Sequence, residues 1–434
     1  MTWHRQDGVS LTEPRARNSD MAAFTLVFLA ATAFMVVTRL WLAARQAAAV
    51  GARAGTVPEP FRDTISDADH ERACAYTRDR LLLGRLELVA EAVALLAVTV
   101  GGGYAWLDAR VGDHAFGPLA HGVVVLVCLA LALGAWGLPF SLWSTFRIEA
   151  RYGFNHQTPA LYFVDLARGV LIGAALGVPL LTLVLWLMQS AGGLWWLYAW
   201  AAWVAFGLGL TAAYPRFLAP LFNRFSPLEP GPLRERLERL VAACGFRSDG
   251  LYVMDGSRRS SHGNAYFTGV GGHKRIVLFD TLVERLEGDE LEAVLAHELG
   301  HFSLHHVRTR LLLSFVTSLG GFAVLGWLAR QAWFFRDLGV PTPSMAAALA
   351  LFALVAPIFL FPLGPLSAWW SRRDEYAADR YAAAHADARA LSRALVKLYR
   401  DNAAALTPDR WYSAWHDSHP PAIARIDALS RITT

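Results

Sequence analysis

The run His297-Glu298-Leu299-Gly300-His301 sets two imidazoles four residues apart, with a carboxylate beside the first. On an α-helix, positions i and i+4 lie about 40° apart around the axis and one turn apart along it, so both rings can reach one ion. Glu298 projects from the adjacent stripe, where its carboxylate can take a proton from a water polarised by that ion. The chemistry this predicts is zinc-assisted hydrolysis of a peptide bond.

A bare H-E-x-x-H arises by chance in many helices, so its neighbours decide. Leu291, Val294 and Leu295 precede it at helical spacing, and Asp289 is placed to cap the helix. The bland alternative, a surface helix that happens to carry histidines, leaves the acids downstream unexplained. Residues 373–379 read Arg-Asp-Glu-Tyr-Ala-Ala-Asp, a second helical segment in which Glu375 is the preferred third ligand. Two histidines and a glutamate leave a fourth position for water, as in catalytic rather than structural zinc sites. A metzincin would need glycine at 304 and histidine at 307, where this chain has Leu304 and Val307. His305 and His306 lie too far along to complete a tidy tetrahedron with the first pair. Asp379, one turn beyond Glu375, can hold a ligand histidine in its tautomer, the alternative being a surface acid paired with Arg380.

The elements that must position these residues are apolar. The 434-residue chain is 55% hydrophobic with mean hydropathy +0.32, and holds 16 Trp and 24 Phe. That excludes an ordinary soluble enzyme and fits a membrane protein with aromatic belts. The net charge of +4 is spread through loops without a dense basic cluster, so nucleic acid is not an expected partner. Cys74, Cys128 and Cys244 form neither a disulfide framework nor a C-x-x-C site and read as packing residues. Lys274 and Lys397 are the only lysines among 40 basic residues, which points to a GC-rich, bacterial source.

Seven apolar runs are long enough to span a bilayer: 21–42, 84–107, 118–142, 169–189, 194–214, 311–328 and 345–362. The chain divides accordingly into a polar segment (1–20), five spans with loops (21–214), a membrane-associated insert (215–310), two spans (311–370) and a helical tail (371–434). The first run exceeds a signal-peptide core and reads as an uncleaved anchor. With seven spans, His297, His301 and Glu375 fall on one side of the membrane. The arginines at 45, 53, 62, 72, 78, 80, 147 and 151 share that side and mark it as cytoplasmic, against Arg5, Arg15 and Arg17. Glu87 and Glu91, with Arg85 nearby, sit inside the second run and read either as a wet cavity wall or as an interhelical pair. Within the insert, an amphipathic helix covers 232–244 and stops at Gly245. Strands are expected at 251–254, 265–268 and 275–279, the last two joined by a turn containing Gly269, Gly271 and Gly272. The fold class is thus an all-α polytopic membrane protein carrying a small α+β insert.

Four further motifs follow one another in order: Phe146-Arg-Ile-Glu-Ala-Arg-Tyr-Gly-Phe-Asn155; Pro220-Leu-Phe-Asn-Arg-Phe-Ser-Pro-Leu-Glu229; Asn264-Ala265-Tyr266-Phe267 with Arg275-Ile-Val-Leu-Phe-Asp-Thr281; and Ser418-His419-Pro420-Pro421 with Arg425. With the zinc motif they resemble the type I CAAX prenyl proteases, integral-membrane zinc peptidases that remove a C-terminal tripeptide from prenylated proteins. The resemblance covers most of the chain beyond the first span, although His156 stands where lysine is common. It implies seven helices around a water-filled chamber, with one Zn2+ per chain near its cytosolic end. It also implies that Asn264, Ala265 and Tyr266 pair with an extended peptide substrate, prenylated or membrane-associated. His419 and Arg425 would stand near the zinc, with His419 stabilising the developing oxyanion. The bland alternative for His419 is a proline-flanked turn residue.

Two rivals bracket this reading. A quality-control protease of the HtpX type shares the zinc helix but is shorter, with fewer spans. A non-enzymatic channel or transporter with a structural zinc would need a fourth protein ligand. The expectation is a zinc endopeptidase of the bacterial cytoplasmic membrane with its site toward the cytoplasm.

Overall fold

The computed structural model describes residues 22–112, 117–246, 248–268 and 275–432. The polar segment at 1–20 and the glycine turn at 269–272 lie outside the described residues. In hydrocarbon every backbone N–H and C=O must be satisfied within its own segment, so the apolar runs become helices. They are α1 (Ala23–Ala52), α2 (Asp67–Val98), α3 (Gly103–Gly112), α4 (Pro118–Trp143), α5 (Pro159–Ser190) and α6 (Trp195–Ala213), followed by the short α7 (Ala219–Phe222). Six helical stretches are long and apolar enough to cross a bilayer, beginning at Ala23, Pro118, Pro159, Gly192, His306 and Met345.

The expected span at 84–107 is not one helix. α2 starts at Asp67, where Ser66 Oγ accepts from the Asp69 N–H, and it ends at Val98. Gly102, at φ +76°, then turns the chain into α3. Its apolar stretch is interrupted by Arg80, Arg85, Glu87 and Glu91, so α2 falls outside the six, although it is as long as they are and packs against α1 and α4. Glu87 and Glu91 line a cavity of about 230 Å3 with Trp136 and Leu354, which favours the cavity-wall reading of this pair.

The insert begins with β1 (Phe225–Pro227) and α8 (Pro232–Ala243), continues through β2 (Leu251–Met254), β3 (Ala265–Thr268) and β4 (Arg275–Phe279), and ends with α9 (Asp280–Arg285) and α10 (Gly288–Ser303). The three expected strands form at the expected residues. β1, three residues long and ending in proline, carries too little pattern to be read from sequence. The sheet order is β1-β2-β4-β3, with β2 and β4 parallel and the outer pairs antiparallel, so β3 is an edge strand. Beyond the insert come α11 (His306–Leu328), α12 (Ala332–Arg336), α13 (Met345–Leu360), α14 (Gly364–His385), α15 (Ala388–Asp401), α16 (Arg410–His416) and α17 (Ala422–Ser430).

Two cores result. One lies among the spans, around Phe28, Tyr104, Leu185, Phe334 and Leu351. The other packs the sheet and α8 against α10, α14 and α15 through Leu237, Ile276, Leu278, Leu291, Leu299 and Leu391. Cys74 is buried and Cys128 and Cys244 are partly buried, all three as free thiols.

Gly339 shows how tightly the membrane core closes. Its φ is +79°, and a Cβ there would lie 2.4 Å from the carbonyl oxygen of buried Thr99 at the end of α2. Left-handed backbone alone costs a non-glycine residue about 1–2 kcal/mol. Gly339→Ala should therefore lower the melting temperature of the detergent-solubilised protein. Gly207→Ala, whose Cβ meets nothing within 4 Å inside α6, should leave it unchanged or raise it slightly.

Candidate active site

α10 is nucleated by a reciprocal cap. The Glu287 side chain accepts from the N3 backbone while Glu290 accepts from the Glu287 N–H at 2.9 Å. Asp289, expected as the cap, sits instead in the first turn and pairs with Arg393. Glu290 is fully buried and is met by Lys397 Nζ at 2.7 Å, which ties α15 to α10.

Gly300, between the two histidines, lets α14 approach closely. A Cβ there would stand 3.1 Å from Tyr381 Cβ and 3.2 Å from the backbone of Ala378. Ala378 in turn lies between Glu375 and Asp379, so this crossing aims two acids of α14 at two imidazoles of α10. The Nε2 atoms of His297 and His301 are 3.2 Å apart. Glu375 reaches them at 3.4 Å and 3.2 Å. Donors about 2.0–2.1 Å from a common ion in tetrahedral array lie roughly 3.3–3.4 Å from one another. Glu375 Oε2 is buried and accepts no hydrogen bond among the described residues, an orphan that coordination to a cation would satisfy. The donor set and its spacing fit a divalent ion.

The second ring nitrogens are held as well. His297 Nδ1 is 2.9 Å from Asp379 Oδ1, and Arg425 grips the same carboxylate with Nε and Nη2 at 2.8 and 2.6 Å. Burial alone would lower the His297 imidazole, but Asp379 and Glu375 outweigh it and hold it up at about 9, so the site already favours a positive charge. His301 Nδ1 lies 3.0 Å from His306 Nδ1. The sequence reading missed this role for His306. α10 ends at Ser303 and His305 adopts φ +61°, which swings His306 back to a ring it could not meet on a continuous helix. His306 is backed by Asp374 at 3.8 Å, itself bound by Arg310.

Glu298 has no hydrogen-bond or ion-pair partner among the described residues, and burial raises its carboxyl above the ordinary range. His419 is exposed, with Nε2 3.4 Å from Glu375 Oε1 and Nδ1 2.9 Å from Ser418 Oγ. The structure therefore brings His297, Glu298, His301, Glu375, Asp379, His419 and Arg425 into one cluster. β3, with Ala265 and Tyr266, lies beside α10 and, among the described residues, pairs on one side only, with β4. Asn264 precedes it, its carbonyl accepting from the Phe279 N–H at 3.0 Å and its Oδ1 from the Ala265 N–H at 2.8 Å.

A metal-ligand triad with an adjacent acid, set on helices continuous with a membrane bundle, defines an integral-membrane metallopeptidase. The chain belongs to peptidase family M48: that family's model matches residues 227–433, and a model for the CAAX prenyl protease N-terminal region of five membrane helices matches 46–224. CAAX prenyl protease 1 homologs from Oryza sativa and Homo sapiens are 36% and 30% identical to it, each over 86% of this chain and over 90% and 88% of their own lengths. The crystal structure of S. mikatae Ste24p superposes with TM-score 0.87 at 28% identity, covering 94% of this chain and 99% of that one.

Losing the carboxylate behind a ligand histidine typically weakens a metal site by about 10–100-fold. Asp379→Asn should show a loss of that size in zinc affinity by chelator competition. Its circular dichroism should retain the helical content of the unaltered protein.

Proposed function

We propose that this protein is a zinc endopeptidase that cuts near the C-terminus of prenylated or membrane-associated polypeptides, with its site facing the cytoplasm. The observation that carries the reading is the triangle of His297, His301 and Glu375 with Glu298 alongside. The curated relatives, by their names, support the substrate class.

Zinc bound by the triad would supply Lewis acidity, bringing a water toward neutral pKa and polarising the scissile carbonyl. Glu298, raised in pKa by burial, accepts the proton of the attacking water and returns it to the leaving amine. His419, exposed above Glu375, donates toward the carbonyl oxygen as charge develops there. Asp379, clamped by Arg425, fixes the tautomer of His297, and His306 does the same for His301. The free edge of β3, from Asn264 through Tyr266, receives the substrate as an added strand. The arginines of the surrounding loops support a cytosolic orientation of the site.

A direct test incubates the purified protein with farnesylated and unfarnesylated peptides, with and without chelator, and locates the cut by mass. Glu298→Gln should lose about three orders of magnitude or more in cleavage rate while keeping one zinc per chain. Full activity in that variant would refute the assignment.

A further inference from the structure

α2 shows two unlike stripes. Leu82, Leu86, Val89 and Val93 recur at i, i+4, i+7 and i+11, and each is at least 45% exposed. Arg80, Glu87 and Glu91 keep the same spacing two residues out of phase, which puts them on the opposite side of the helix. Charged residues at membrane depth turn toward water or the bundle interior, so the leucine and valine stripe faces hydrocarbon.

A half-open groove of about 540 Å3 runs between that stripe and the end of α4, a volume within the range of ligand sites. Leu82 and Leu86 form one wall, and Phe140 with exposed Trp143 forms the other. Arg151 Nη1 stands 2.9 Å from Asp79 Oδ2, and Trp136 Nε1 donates to the Ala90 carbonyl at 3.1 Å. The two helices therefore run antiparallel, and the charged lining residues Asp79, Arg147 and Arg151 share one end of the groove. From Asp79 to Leu86 is about 10 Å along the helix axis. The charged end lies on the side of the bundle that carries the insert, because Glu149, in the π-helical turn Ser144–Glu149, is 3.7 Å from His262.

One charge is left over there. Asp79 is matched by Arg151 and also accepts from Tyr152 Oη at 2.8 Å. Arg147 is exposed and has no hydrogen-bond or ion-pair partner among the described residues. A lone guanidinium at the lip of an apolar trough, with a tryptophan just below it, matches the profile of a lipid with an anionic head at the boundary and acyl chains beneath.

We propose that the groove between α2 and α4 holds one anionic phospholipid of the leaflet on the insert side, its phosphate on Arg147 and an acyl chain against Leu82 and Leu86. The site shares no residue with the metal cluster and does not depend on the peptidase reading.

Native mass spectrometry of the detergent-solubilised protein, titrated with phosphatidylglycerol or with phosphatidylcholine of matched chains, ranks the affinities. The first phosphatidylglycerol should bind about five-fold or more tightly than the first phosphatidylcholine, the worth of one arginine at an anionic surface. Arg147→Gln should bring the two close to equal, whereas Arg147→Lys, which keeps the charge, should retain most of the preference. Arg216→Gln removes another exposed, unpartnered arginine, at the end of the α6 span, and should leave the preference unchanged. Leu86→Trp fills the trough without altering Arg147 and should weaken the first lipid of either class. Both altered side chains are exposed, and unchanged circular dichroism confirms folding. Equal losses from Arg147→Gln and Arg216→Gln, or an affinity unmoved by Leu86→Trp, would reduce the effect to general surface charge and overturn the site. Release of the lipid by farnesylated peptide on zinc-loaded Glu298→Gln protein would give the groove to the peptide's prenyl chain, and a dimer dispersed by Leu86→Trp would give it to a second copy. Either result overturns the proposal.

Discussion

The structure turns on the close crossing of α10 and α14 at Gly300 and Ala378. Only with no side chain at 300 can the two helices approach until donors on each stand within 3.4 Å of the other's. The charges gathered there set the second condition. With the two imidazoles deprotonated as ligands, three carboxylates, Glu298, Glu375 and Asp379, face one guanidinium, Arg425, leaving an excess of two negative charges that a divalent cation balances. Arg425 and Asp379 are both buried, and truncating one member of a buried pair typically costs about 3–5 kcal/mol. The geometry therefore depends on the tail as much as on the motif helix.

The parts legible in sequence were those with a period or a fixed spacing. The histidine pair, Glu375, Asp379 and the strands at 251–254, 265–268 and 275–279 follow from local pattern; the strands form at those residues, and the four side chains lie together in one cluster. His419 and Arg425 were recognisable only through resemblance, because nothing in Pro420-Pro421 or the α17 stripe announces a catalytic neighbour. His306 could not be read, since its role depends on a helix break at Leu304–His305 followed by a left-handed residue. The misplaced cap has a similar origin: Asp289 is the better cap by residue type, but the Glu287–Glu290 reciprocal pair and Lys397 fix the start two residues earlier. The split of the second apolar run was hidden because hydropathy continues through Gly101–Gly103 while the backbone does not.

Charge placement in α2 links the membrane bundle to the chemistry. Arg80 is neutralised by Glu149, from the π-helical turn Ser144–Glu149 that ends the α4 span, and His262 stands 3.7 Å from the same acid while stacking on Phe154. π-turns recur at functional sites because they reorient side chains without ending a helix. Here the turn carries a membrane helix's last acid to the loop that leads into β3, so the span and the edge strand share one polar joint.

The cluster draws its parts from positions as far apart as His297 and Arg425, with two membrane spans and four further helices between them. During synthesis, the motif helix leaves the ribosome well before the segment that clamps Asp379. A nascent chain that has inserted only through α11 thus carries both histidines without the glutamate or the arginine. Hydrolytic competence is thereby deferred until the whole bundle has been threaded into the bilayer, which spares the unfinished protein and its neighbours at the translocon.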